Sequence, residues 1–173
     1  MSHVSSNAPS NAGAPVPSFE LRFRPSVDLI SIVRRFVAEF YLRVMDDDDA
    51  ASRLALATHE LLENAAKYST DGEAALFVQV DTGTGTVDVR TTNRSTPAQL
   101  ARLRRCFDEI TSASDAAALY AEMLRRSALL ATGSGGLGLA RIWAESEMAI
   151  RLVVEGERVE IHAQGSIATR GDS

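Results

Sequence analysis

The apolar residues of this chain change their spacing in blocks, and the order of these blocks limits the fold. Alternation of apolar and polar residues, which is typical of a half-buried strand, occurs once near the start and later in two adjacent pairs of segments. Helical spacing fills the stretches between them. The predicted strands are 19–23, 74–80, 87–92, 149–154 and 158–163, and the predicted helices are 27–45, 50–68, 97–130 (with a break near 111–115) and 139–147.

Short connections join the strands within each pair. Thr82-Gly-Thr-Gly85 separates one pair and Glu155-Gly-Glu157 separates the other, and both are typical of hairpin turns. Hairpins favour antiparallel pairing, and the helices occur in blocks rather than singly between strands. We therefore predict an α+β fold: a two-layer α/β sandwich with a mainly antiparallel, mixed sheet and helices on one face.

Composition and charge exclude several classes of protein. The 173 residues carry a net charge of −5, so no basic surface indicates nucleic-acid binding. A single cysteine, Cys106, excludes a disulfide framework and favours a reducing compartment. No apolar run is long enough for a membrane helix and no signal peptide is visible, so we expect a cytoplasmic protein. We expect a domain over 18–165, a disordered tail over 1–17 and a flexible tail over 166–173.

The second predicted helix carries a polar band beside its apolar face. At 100° per residue, Glu60, Asn64 and Lys67 fall within about 60° of one another. A carboxylate beside an apolar wall suits a general base, an amide oxygen suits Mg²⁺, and an ammonium suits a phosphate. An ordinary amphipathic helix with a solvated Glu–Lys edge is the alternative for this segment taken alone.

A cluster of glycines directly precedes the last predicted helix. Gly133, Gly135, Gly136 and Gly138 lie within six positions, and glycine lets backbone N–H groups approach a ligand closely. The N-terminus of the following helix favours an anion such as phosphate. No Lys-Ser or Lys-Thr follows, which excludes a Walker loop, and no strand precedes, which excludes a dinucleotide fingerprint. A hinge without a ligand is the alternative.

Together, the two motifs resemble those of the GHKL ATPase superfamily. Glu60-Leu-Leu-Glu-Asn64-Ala-Ala-Lys67 is similar to its N-box, and Gly133-Ser-Gly-Gly136-Leu-Gly138 is similar to its second glycine box. The resemblance covers about 18–165 and implies the Bergerat-type fold of this superfamily, with ATP and Mg²⁺ as ligands. It implies that Glu60 is the general base, that Asn64 is the magnesium ligand and that Lys67 lies near the phosphates. It further implies that the glycines, with Leu137 among them, wrap the phosphates.

The first glycine box of the superfamily, Asp-x-Gly-x-Gly, is missing from this chain. At the corresponding place stands Asn93, whose carbonyl is the best substitute for the adenine-binding aspartate. Losing a charged hydrogen bond costs about 1.5–3 kcal/mol, so ATP binding is expected to be weaker. The lid between the two motifs, 98–130, is also unusually rich in helix-forming residues.

The small size of the chain resembles the anti-sigma-factor serine kinases of this superfamily. That resemblance implies an ATP-binding regulatory protein that phosphorylates or sequesters a protein partner, such as an anti-anti-sigma-like domain. Members of the superfamily often form homodimers. The alternatives are a docking module that has lost nucleotide binding and a nucleotide sensor without turnover.

Overall fold

The computed structural model describes residues 16–129 and 136–167, which contain five strands and five helices. The strands are β1 (Ser18–Phe23), β2 (Ala74–Asp81), β3 (Thr86–Arg94), β4 (Ala149–Glu155) and β5 (Arg158–Ser166). The helices are α1 (Val27–Val44), α2 (Asp48–Tyr68), α3 (Pro97–Ser112), α4 (Ala116–Leu129) and α5 (Leu137–Glu145). This order, including the break after α3, confirms the predicted order of elements. Most of the two predicted tails lies outside the described residues.

The strands form one sheet in the order β1-β2-β3-β5-β4. Every pairing among the described residues is antiparallel, so the expectation of a mixed sheet is wrong for this part of the chain. The connection between β1 and β2 gives the physical reason. A short loop makes α1 and α2 antiparallel neighbours, and two such helices return the chain to the end of the sheet that it left. The strand that follows must then run against β1.

The two faces of the sheet differ in chemistry. Alternate residues of β2 and β3, among them Leu76, Val78 and Val89, are buried under the helices, and the residues between them face the other side. That second face carries charged groups; for example, Nε2 of His162 lies 2.7 Å from Oδ2 of Asp88. The described helices therefore cover one face, as the alternation predicts.

Local sequence determines where the helices begin. The side chain of Asp47 accepts a hydrogen bond from the Ala50 amide at 2.9 Å, and two further aspartates occupy the first turn of α2. These aspartates thus cap the helix and interact favourably with its dipole. Thr96 begins α3 with a capping box to Gln99, followed by Pro97 in the first turn. No described helix is long and apolar enough to cross a membrane.

Candidate functional site

Helix α2 packs against the sheet and against α5 and brings the two motifs into contact. Leu61, Leu62 and Ala65 are buried on its inner side, which turns Glu60 and Asn64 toward the start of α5. Gly138 lies directly against these two side chains. A Cβ atom at position 138 would overlap with Oε2 of Glu60 and would lie 3.5 Å from Nδ2 of Asn64. A larger residue here would therefore require the Glu60 carboxylate to move away from the start of α5.

Glu60 is paired across this contact with Arg141 of α5. Nη1 of Arg141 donates to Oε1 of Glu60 at 3.2 Å, and its Nε donates to Glu145 at 2.8 Å. The Glu60 side chain is 16% exposed, whereas that of Arg141 is 38% exposed. Hydrogen bonding to Glu145 is the main cause that raises the pKa of Arg141, so the guanidinium stays charged. The contact therefore places a shielded carboxylate and a fixed cation side by side, and the cation is suited to an anionic ligand.

Asn64 has an amide nitrogen that is buried and meets no acceptor among the described residues. The side chain borders a cavity of about 310 Å³ between α2 and α3, whose lining also includes Tyr68, Ser95, Cys106 and Gly136. Leaving a buried polar group unpaired costs about 1–3 kcal/mol, which is why such groups are rare and are often found where a ligand binds.

A second buried nitrogen without a partner is Nδ1 of His59. Its ring also lies 3.1 Å from Oε1 of Glu63 through Nε2, and it is not part of the cavity beside Asn64. His59 precedes Glu60 by one residue and so points about 100° further round the helix. We therefore assign it no part in the site.

Gly136 begins α5 in a conformation that only glycine adopts easily. Its φ is 104°, and a Cβ there would overlap with Sγ of Cys106 and would lie 3.5 Å from the Met123 methyl carbon. Burial raises the pKa of the Cys106 thiol to about 11, with a smaller contribution from Glu109. The thiol is therefore protonated at neutral pH and serves as a packed group between α3 and the start of α5.

Asn93 lies at the end of β3 and is buried. Its Nδ2 donates to Oγ of Ser95 at 2.8 Å and to the Arg94 carbonyl at 3.2 Å. Ser95 in turn donates to the carbonyl of Tyr68 at 3.1 Å, which ties β3 to the end of α2. Ser95 lines the cavity beside Asn64, whereas Asn93 does not. The amide nitrogen of Asn93 is thus engaged within the chain.

The remaining predicted residues are placed as follows. Lys67 is exposed, and its Nζ lies 5.4 Å from the centre of the Tyr68 ring. Leu137 is half-buried against the core in the first turn of α5. Gly133 and Gly135 lie outside the described residues.

Sequence reasoning missed three residues of this region. Ser95 and Cys106 reach it from elements outside both motifs, so no spacing within α2 or α5 reveals them. Arg141 lies three positions after Gly138 on α5, and its separation from Glu145 by four positions favours a helical ion pair, so it left a local signal.

Comparison with known proteins gives a structural match only. No family model matches the chain, and no curated protein matches its sequence. A chain in the crystal structure of the SiaB-SiaC complex from Pseudomonas aeruginosa has a similar fold, with a TM-score of 0.64 and 20% sequence identity. The match covers 85% of this chain and 88% of that chain. At this identity, the likeness concerns the fold.

Proposed function

We propose that this chain is a GHKL-type regulatory protein that binds ATP with Mg²⁺ and phosphorylates a serine or threonine of a protein partner. The meeting of two distant motifs carries the proposal: Glu60 and Asn64 of α2 lie against Gly138 at the start of α5. Glu60 and Asn64 are each more than 70 positions from Gly138 in the sequence, and it is the fold that brings them together. Their contact leaves a shielded carboxylate, an unpaired amide and a helix N-terminus at one place.

The residues present fit the two ligands. The N-terminus of α5 begins at Gly136 without any side-chain cap, so its first N–H groups are free of a capping side chain and suit a phosphate. Asn64 is the residue that would hold magnesium through its amide oxygen, since the side chain borders the cavity between α2 and α3. No three His, Cys, Asp or Glu side chains form a cluster in the described part of the chain. Magnesium commonly binds through one or two protein oxygens together with substrate phosphates, which neutralises their charge.

In the proposed reaction, the hydroxyl oxygen of the partner bonds to the γ-phosphorus of ATP. The bond from that phosphorus to the bridging oxygen breaks, and ADP leaves with its electron pair. Glu60 takes the hydroxyl proton, for which its partly shielded carboxylate is suited. Arg141 supplies a positive charge beside this carboxylate that offsets charge on the phosphates.

A protein partner is supported by two observations. The structurally similar chain belongs to a complex of two proteins, SiaB and SiaC. In the present chain, Leu124 and Leu129 of α4 are exposed apolar side chains, which are suited to contact with a partner protein. We propose that phosphorylation changes the affinity of this chain for its partner, as in a partner-switching pathway, because a phosphate adds about two negative charges.

Calorimetric titration with ATP, with and without Mg²⁺, tests the proposal. We expect saturable binding in the micromolar to millimolar range that weakens when magnesium is removed. Absence of binding heat at millimolar ATP–Mg²⁺ would reject it.

A docking module without nucleotide binding is the second candidate. The end of β3 favours it, because Asn93 offers an uncharged amide at the place of the adenine-binding aspartate of the superfamily. This candidate predicts that binding of a partner to α4 is unchanged by ATP and by Glu60→Gln. It also predicts that substitution of Leu124 or Leu129 by Asp reduces partner binding.

A further inference from the structure

Strand β4 forms one edge of the sheet. It pairs with β5 from Ala149 to Glu155, and no other strand in the described part of the chain lies beside it. Natural proteins usually protect such an edge with proline, with charged side chains or with a covering segment. Five of the seven residues of β4 are Ala, Ile, Leu or Val, and none is Pro. This edge is therefore suited to pairing with a further strand.

The hairpin between β4 and β5 determines which backbone groups of β4 point outward. Glu155 pairs with Arg158, so the loop has two residues, and the first of them is a glycine with a φ of 62°. The residues that flank a two-residue hairpin loop bond to each other through both backbone groups, and this direction alternates along the strand. The N–H and C=O groups of Ile150, Leu152 and Val154 therefore point away from β5, toward the free edge. No loop backbone among the described residues bonds to these groups.

A groove of about 430 Å³ lies beside this edge, between β4 and α3. The same three residues of β4 line it, and their side chains are partly buried on the side of the sheet that the helices cover. On the α3 side the groove is lined by Phe107 and Thr111, together with charged residues. Side chains that are opposite each other in neighbouring strands lie on the same face of a sheet. Every second residue of a strand added at β4 thus enters the groove, where an apolar side chain fits.

The residues between them would lie on the open face of the sheet, beside Arg151. Nη2 of Arg151 lies 2.8 Å from Nδ1 of His162. Because a guanidinium can only donate, Nδ1 accepts this bond, and Nε2 of the same ring donates to Asp88. The ring that holds Arg151 is therefore uncharged. No carboxylate pairs with Arg151 in the described part of the chain, so its positive charge is available to an acidic residue.

A second arginine lies on the other side of the groove. Arg104 of α3 is exposed and forms no ion pair with a carboxylate among the described residues. Asp108, one turn further along α3, is the one acidic side chain among the described residues that line the groove. Two positive charges and one negative charge favour acidic residues in a segment that binds here.

We propose that β4 and α3 form a docking site for an extended segment of a partner protein, which adds to the sheet as a further strand. Alternate residues of this segment are apolar and enter the groove, and the residues between them are acidic and face Arg151. The backbone of β4 supplies the hydrogen bonds, and the groove supplies the specificity. The site is separate from the proposed nucleotide region and does not depend on nucleotide binding.

A library of random nine-residue peptides, displayed on phage and selected on the full chain without nucleotide, supplies the probe. We expect the enriched peptides to alternate apolar and acidic residues along most of their length. Absence of enrichment contradicts the proposal, and so does enrichment of peptides without this alternation.

Methylation of backbone nitrogens in the most enriched peptide tests strand addition directly. Because N–H directions alternate along a strand, methyl groups on one set of alternate residues block the groups that face β4, and methyl groups on the other set block those that face solvent. Fluorescence anisotropy measures the affinity of each peptide. One set should weaken binding roughly tenfold or more, and the other should leave it within about threefold. Equal losses for the two sets contradict a strand.

Charge reversal tests the position of the site. Arg151→Glu and Arg104→Glu should each weaken binding of the same peptide roughly tenfold, because an attraction becomes a repulsion. Arg22→Glu is the matched control, since it reverses an exposed arginine on β1 at the opposite edge of the sheet, and it should leave the affinity within about threefold. Circular dichroism confirms that each variant is folded. Unchanged affinity in both Arg151→Glu and Arg104→Glu, or a larger loss in Arg22→Glu, contradicts the proposal, since the peptide then binds elsewhere.

Discussion

Asn64 and Asn93 lie at the two ends of the proposed nucleotide region, and their side chains differ in what they contact. The amide nitrogen of Asn64 is buried and has no acceptor among the described residues. That of Asn93 donates to Ser95 and to a backbone carbonyl. The Asn64 side of the region is therefore open to an acceptor of a ligand, whereas on the Asn93 side the amide nitrogen is already bonded within the chain.

This difference between Asn64 and Asn93 separates the side chain that stabilises the fold from the side chain that is available to a ligand. A buried amide without a partner opposes folding by about 1–3 kcal/mol, so the fold gains nothing from Asn64. Bonded to Ser95, which in turn bonds Tyr68, Asn93 holds β3 to α2. We infer that the α2–α5 side supplies the chemistry and that the end of β3 supplies the support.

The largest effect is expected on the rate of ADP formation when Glu60, on the open side, is substituted. Glu60→Gln should reduce formation of ADP from ATP–Mg²⁺ by roughly 10²–10⁴-fold, because the amide cannot take the proton. The fold should be unaffected. Glu63→Gln, an exposed neighbour on α2, is the control and should retain its rate. Equal rates for the two variants would remove Glu60 from the reaction.

The next largest effect is expected on the free energy of unfolding when a side chain is added at Gly136, at the start of α5. Gly136→Ala places a Cβ at a φ of 104° and against Cys106, which should lower the free energy of unfolding by about 3 kcal/mol. Adding Cys106→Ala should recover about half of this loss by removing the overlap. Gly72→Ala is the control. Its φ is 71° with no atom within 4 Å, so only about 1 kcal/mol should be lost. Chemical denaturation measures all three, and equal losses at positions 72 and 136 would exclude the close contact.

The smallest effect is expected at Arg141. Its guanidinium is 38% exposed, and ion pairs with that degree of exposure contribute less than about 1 kcal/mol. Arg141→Met should therefore change the free energy of unfolding little, while leaving Glu60 without its cation. A loss of several kcal/mol in denaturation would mean that the pair supports the fold rather than the open side.

Much of the fold could be predicted from the sequence, because its signals are local. Alternation over β2 and β3 together with the glycines between them identified the hairpin, and helical spacing identified α2. The start of α5 was placed two residues late, at 139 instead of Leu137, because Gly136 takes a left-handed conformation and begins the helix directly. The direction of the strands depended on the paths of the intervening helices, and these leave no local signal.

The candidate site was less predictable. Helical spacing on α2 placed Glu60 and Asn64 together, and the glycine motif placed Gly138 at a helix start. That these two places meet followed only from the resemblance to a known superfamily. Nothing in the sequence indicated that Arg141 would pair with Glu60 or that the Asn93 amide would be occupied by Ser95, since both are contacts made by the folded chain.

Thermal unfolding of three proteins, with and without millimolar ATP–Mg²⁺, tests the central claim most directly. The unmodified chain should gain several degrees, since ligand at about 100 times its Kd stabilises by about 2.7 kcal/mol. Asn64→Ala should keep or raise its ligand-free midpoint, because it removes an unpaired buried amide, and should lose the gain. Asn93→Ala should unfold several degrees lower without ligand and keep the gain. No gain in the unmodified chain, or an equal gain in Asn64→Ala, would contradict the account. A gain lost in Asn93→Ala at an unchanged ligand-free midpoint would give Asn93 the binding role instead.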